Sequence, residues 1–254
     1  MKILLTNDDG INAPGIYALW RELRKIGEIS IVAPETEQSA VGHAITLSNP
    51  LRLREVCRDG SFYGYSVNGT PADCVKLGVT AIFREPPDIL ISGINLGPNL
   101  GVDVIYSGTV SAATEGTIIG IPSIAVSLAI RRDPDFCFAA AFARALCLQV
   151  KEKGIPAGIL LNVNIPAVPL AKVKGVKITR QGKARFKDTF EKRLDPRGNV
   201  YYWLTGETIR EEEDEEADSK AVKDNYVSIT PLHFDLTAYP NICGLKEWDI
   251  FLKD

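Results

Sequence analysis

The chain has 254 residues, of which 45% are hydrophobic and 24% charged, and carries a formal net charge of −3. This composition excludes a collagen, a coiled coil and wholesale disorder, and the charge does not suggest a general nucleic-acid binder. Residues 211–216 hold six acids, so the rest of the chain is near +3, which suits an anionic substrate without demanding one.

The apolar stretch at residues 2–5 is short and runs into Asn7, Asp8, Asp9 and Gly10, unlike a secretory leader. It predicts a first strand. Pro14 then opens a helix through about residue 26, with Gly27 at its stop. Residues 28–33 (EISIVA) read as a second strand closed by Pro34. The alternation at 51–56 and the apolar run at 62–67, around Asp59-Gly60, predict a hairpin. Thr70-Pro71-Ala72-Asp73 is a helix start, with Thr70 as N-cap and Pro71 at N1. Residues 89–91 form a buried strand ending in Ser92-Gly93, and residues 109–119 a helix stopped by Gly120. Residues 123–128, 135–152 and 159–163 add a strand, a long amphipathic helix and another strand. Strands alternating with helices at this spacing imply an α/β protein with a doubly wound, mostly parallel sheet and helices on both faces.

After about residue 170 the rhythm fades. Residues 173–179, 200–204 and 226–230 read as strands, with the acidic run as a solvated loop between the last two. This region is expected to project as an arm or β-hairpin and rejoin the body after Ala217. The longest apolar stretch, 118–130, is broken by Gly120, Pro122, Ser123 and Ser127, so no membrane span is expected. Five cysteines with no C-x-x-C pair read as reduced thiols of a cytoplasmic protein, mostly in the core.

In an open parallel sheet, ligands bind beyond the carboxyl ends of the strands. The segments there are polar or glycine-rich: residues 7–10, 33–41, 92–99 and 106–109. Adjacent carboxylates at Asp8 and Asp9 repel unless a cation lies between them, and Gly10 permits the turn that lets both reach one ion. With the Ser39 hydroxyl and the Asn95 carbonyl they make an all-oxygen set suited to Mg²⁺ or Mn²⁺. The competing reading of the pair is a cap on backbone N–H groups. The glycines at 93, 97 and 101 match neither a dinucleotide fingerprint nor a P-loop. Ser107-Gly108-Thr109 before a helix is either an anion site or a plain N-cap. Asn99 is a second amide able to reach metal or phosphate. His43 reads as a surface or structural histidine, or as a group that donates a proton or orients phosphate, and His233 as structural.

The opening MKILLTNDDGINAPGI, then SAVGHAITLSNPLR, NGTPADCV, ISGINLGPNLG, YSGTVSAATEG and NYVSITPLHFDLT resemble the SurE (survival protein E) nucleotidase family. The resemblance covers most of the chain. It implies a metal-dependent phosphatase of nucleoside 5′-monophosphates, often also of 3′-monophosphates, with some members acting on short polyphosphate. It implies metal ligation by Asp8, Asp9, Ser39 and Asn95, catalytic roles for Asp8, Asp9 and Asn95, and phosphate contacts at Asn95, Ser107, Gly108 and Thr109. It also implies a Rossmann-like core, a single domain spanning 1–254, and an arm at about 172–225 through which homodimers or homotetramers form. Glycine is common in the family after Ser39, where this chain has Ala40.

Two other readings compete on the residues. A phosphatase of the haloacid dehalogenase type needs a second acid two residues after the first, and that position is Gly10. A non-catalytic nucleotide or metal sensor on the same fold predicts binding without phosphate release.

Overall fold

The computed structural model describes residues 1–130, 132–209 and 215–248. Its main sheet has nine strands: β1 Lys2–Thr6, β2 Glu28–Pro34, β3 Leu53–Arg58, β4 Ser61–Val67, β5 Ile89–Leu96, β6 Ser123–Leu128, β7 Ile159–Ile165, β8 Gly175–Ile178 and, beyond a separate hairpin, β11 Tyr226–His233. The hairpin is β9 Arg185–Leu194 against β10 Val200–Ile209. The sheet order is β3-β4-β2-β1-β5-β6-β7-β11-β8. From β4 to β7 every pairing is parallel, while β3 and β11 pair antiparallel with β4 and β7.

Helices cover both faces because the strand residues alternate. Ile3, Leu5, Ile31, Ile91, Ile124, Val126 and Val163 pack in one core with α1 (Pro14–Leu23) and α4 (Cys137–Lys153). Leu4, Val32, Leu90 and Ala125 point the other way, toward α2 (Pro71–Leu77) and α3 (Gly108–Ile119). Strand side chains have a period of two, so each central strand must be apolar throughout. α5 (Asp218–Lys223) and α6 (Tyr239–Lys246) complete the helices.

The predicted caps form as read. Thr70 and Asp73 make a reciprocal capping box on α2, and Gly120 ends α3 with φ 94°. The hairpin at 51–67 is present, and it joins the main sheet through parallel pairing of β4 with β2.

Four expectations need correcting. The strand expected to stop at Ser92-Gly93 continues to Leu96, because β6 pairs alongside it across an irregularity between Gly93 and Asn95. α1 ends at Leu23, short of residue 26. The expected hairpin is present as β9 against β10, but β9 itself and helix α6 were not read as elements. Cys57, Cys137 and Cys243 are exposed, and only Cys74 and Cys147 are core residues; all five are free thiols. Of the acidic run, residues 211–214 lie outside the described residues, and Glu215 is an exposed side chain facing Lys177 and Lys220. The chain does rejoin the body at Ala217, which is buried and bridges to Arg180. Among the described residues, no helix is long and apolar enough to cross a membrane.

Candidate active site

The strand order reverses direction at β1. The chain leaves β1 for β2 on one side, and β5 lies on the other. A crevice therefore opens beyond the carboxyl ends of β1 and β5. Asp8 and Asp9 follow β1 into this crevice, and Asn95 lies near the end of β5.

The turn after β1 is held by its own polar groups. Asn7 Nδ2 donates to the Gly10 carbonyl at 2.8 Å, and Gly10 adopts φ 95°, a conformation open to glycine. Asp8 is buried, with 7% of its surface exposed. Its carboxylate accepts the Thr109 hydroxyl at the start of α3. Burial pushes the Asp8 carboxyl above its ordinary value, against the pull of its hydrogen bonds to Thr109. Asp9 is half-buried, and its Oδ2 accepts the Leu96 N–H at 3.2 Å. Burial, then the charge of Asp8, push the Asp9 carboxyl up to about 6.

Two further loops close on this pair. The Gln38 N–H donates to the Asp8 carbonyl at 2.7 Å, which brings the segment carrying Ser39 to the end of β1. Ser39 itself is exposed and donates its hydroxyl to Glu37. The charge of Glu37 raises both aspartates further, an acidic neighbour that the sequence reading passed over. Asn95 Nδ2 donates to the Gly97 carbonyl at 2.8 Å, which leaves its carbonyl oxygen as the acceptor end.

Ser107 is the N-cap of α3 and accepts the Val110 N–H at 3.1 Å. Ser107 therefore caps α3, and the Thr109 hydroxyl donates to Asp8. Gly108 lies against Asp8 so closely that an added Cβ would stand 2.8 Å from Asp8 Cβ. Asn99 is not at the crevice surface. It is buried, its Nδ2 donating to Ser127 Oγ at 2.8 Å and its backbone carbonyl accepting from the side chains of Asn162 and Asn164. His43 contacts Glu115 of α3 at 2.8 Å, and His233 ends β11. Glu115 was missed, although it is the one charged residue in the α3 sequence and so a readable signal.

Neither Asp8 nor Asp9 is ion-paired to a Lys, Arg or His among the described residues. Behind them Thr6 Oγ1, Asn7 Oδ1 and Ser92 Oγ are buried oxygens with no protein partner. Two adjacent acids disfavoured as anions, with hydroxyl and amide oxygens nearby, fit a hard divalent cation. Among the described residues no group of three or more His, Cys, Asp or Glu is placed to hold a metal ion.

A doubly wound α/β protein with an acidic, oxygen-rich centre at its switch point falls in the class that binds ligands beyond the carboxyl edge of the sheet. A family model described as "Survival protein SurE" matches residues 3–188. The chain is 51% identical over 247 residues to 5′-nucleotidase SurE of Syntrophus aciditrophicus, covering 97% of this chain and 93% of that one. It is 52% identical over 253 residues to 5′-nucleotidase SurE of Thermoanaerobacter sp., covering 100% of both. The crystal structure of the SurE protein from Aquifex aeolicus superposes with a TM-score of 0.85 at 45% identity, covering 97% of this chain and 98% of that one. The chain belongs to the SurE family.

Proposed function

We propose that this protein is a metal-dependent 5′-nucleotidase that hydrolyses nucleoside 5′-monophosphates, with 3′-monophosphates and short polyphosphate as further substrates. The observation that carries the reading is the Asp8–Asp9 pair at the end of β1, buried against the start of α3, in a chain about half identical to proteins named 5′-nucleotidase SurE. Asp8, Asp9, Ser39 and Asn95 would hold one Mg²⁺ or Mn²⁺. The chemistry such a cation supplies is charge neutralisation at the phosphoryl oxygens and acidification of water.

The chain's own groups do the remaining work. Gly108 and Ser107 present the positive end of the α3 dipole to the phosphate, and positioning dominates phosphoryl transfer. The Thr109 hydroxyl holds Asp8 in place, and Thr109 and Asn95 line the proposed phosphate site with Ser107 and Gly108. Asp9, the more exposed of the two acids, takes the proton of the attacking water. Water attacks phosphorus, the ester P–O bond breaks, and the leaving oxygen keeps the bonding pair and is protonated from solvent.

The β9–β10 hairpin is the proposed assembly arm for a homodimer or homotetramer. Phe190, Tyr202 and Trp203 are 67%, 59% and 56% exposed on it, more apolar surface than a two-stranded ribbon in water ordinarily carries. The free thiols support the expected cytoplasmic location.

Phosphate release from a nucleotide panel, with Mn²⁺, with Mg²⁺ and with EDTA, tests the function. Cation-dependent release from nucleoside monophosphates is expected. Cation and nucleotide binding without release would replace the enzyme by a sensor.

A further inference from the structure

The loop after β2 carries Ser39, but little of it is buried. Its path depends on where it is pinned. Upstream, Gln38 N–H meets the Asp8 carbonyl. Downstream, Gly42 N–H donates to the Tyr106 carbonyl at 3.0 Å, and Thr70 Oγ1 donates to the Ala44 carbonyl at 2.7 Å. Thr46 donates its N–H and its hydroxyl to Asp73, at 2.9 and 2.6 Å. These anchors hold backbone, or side chains beyond residue 44.

Between Ser39 and Thr46, the His43 side chain bonds to a residue of α3. His43 Nε2 lies 2.8 Å from Glu115 Oε2, and Glu115 Oε1 lies 2.6 Å from Lys76 Nζ. The Glu115 side chain is 3% exposed, while His43 and Lys76 are 32% and 45% exposed. Glu115 thus stands six residues, under two helical turns, along α3 from Thr109, the residue that holds Asp8. A single rigid helix then fixes two candidate donors: Asp8 through Thr109, and the Ser39 loop through Glu115 and His43. A buried carboxylate inside a helix of small residues is costly unless its partners are supplied. Lys76 alone would compensate its charge; His43 adds a link to the loop.

We infer that His43 is a positioning residue, which through Glu115 sets the distance between Ser39 and the Asp8–Asp9 pair and thereby the affinity for the divalent cation. It touches neither substrate nor reacting atoms. Its Nε2 is engaged by Glu115, whose backbone lies about 9 Å along α3 from Thr109.

The inference rests on the cation site proposed above, and the experiment separates the two. Mn²⁺ binding to the metal-stripped full chain is measured by isothermal titration, with no substrate present. Wild type is expected to bind one Mn²⁺; no binding would remove the cation site itself. In H43A the dissociation constant should rise about tenfold, the usual effect of losing a group that orients a ligand. At saturating Mn²⁺ its kcat should stay within about twofold of wild type. H43Q places an amide nitrogen where Nε2 stood and should recover most of the affinity. If H43A does not fold by circular dichroism, H43N, polar but too short to reach Glu115, takes its place. Wild-type Mn²⁺ affinity in H43A or H43N overturns the inference. So does a lost kcat with unchanged affinity, and so does equal weakening in H43Q and H43A.

Discussion

Thr109 gives its hydroxyl hydrogen to the Asp8 carboxylate, so the first turn of α3 and the end of β1 are joined by one charge-assisted bond. The two residues lie 101 positions apart in sequence, and their meeting is what places a helix start beside an acidic pair. T109V should therefore lower stability by about 1.5–3 kcal/mol, the range for a hydrogen bond to a charged group. T109S should retain most of it. Urea denaturation of the metal-stripped protein measures both.

Gly108 is required by contact rather than by backbone angle. An added Cβ would lie 2.8 Å from Asp8 Cβ, 3.1 Å from Asp8 Oδ2 and 3.2 Å from Pro71 Cγ. Alanine favours a helix over glycine by about 1 kcal/mol, but here Asp8 must move to admit it. G108A is expected to fold and to lose at least tenfold in Mn²⁺ affinity and in phosphate release. Undiminished affinity would show that the position of Asp8 does not matter.

Asp9 is held near a second acid and partly out of water, which raises its pKa to about 6. D9N removes the repulsion and should make the metal-stripped protein more stable than wild type at pH 8, by about 1 kcal/mol. The same change should abolish cation binding and turnover. A thermal melt in EDTA and a phosphate assay test the two halves separately.

Ala40 sits in the left-handed region with φ 53°. An L-residue there costs about 1–2 kcal/mol, partly offset because glycine leaves a freer unfolded chain. A40G should raise stability by about 0.5 kcal/mol and leave the substrate profile unchanged. Lower stability by denaturant titration would mean the loop does not hold this angle in solution.

Asp73 supplies the pH prediction. Burial would raise its pKa, but the donors of Thr46 and Thr70 outweigh burial and hold it below 3.8. A carboxylate with a depressed folded pKa contributes stability above its unfolded value and loses it as pH falls through the folded value. D73N should thus be less stable than wild type at pH 7, with the gap closing below about pH 4. Denaturant midpoints at pH 7, 5 and 3 measure it.

Much of this molecule is written locally. Thr70-Pro71 and Gly120 mark helix ends because a cap hydroxyl, a missing N–H and a positive φ act within one turn of chain. The strands β1, β2 and β6 are runs of apolar residues that suit burial on both faces. Strand β9 was invisible because Arg185–Leu194 is charged and exposed along its length, and its order comes from pairing with β10. The continuation of β5 past Gly93 was hidden for the same reason, since β6 supplies the bonds.

The sequence by itself determined the α/β alternation, the caps, and which polar segments end up at the carboxyl edge of the sheet, because these follow from short-range sterics and hydrophobic period. Only the tertiary structure decided that Thr109 serves Asp8, that Asn99 is buried with Asn162 and Asn164, and that Glu115 meets His43. Those pairings join residues about 60 to 100 positions apart. No local rule carries that far; the order and register of the strands fix it, and those are set by the packing of the whole core.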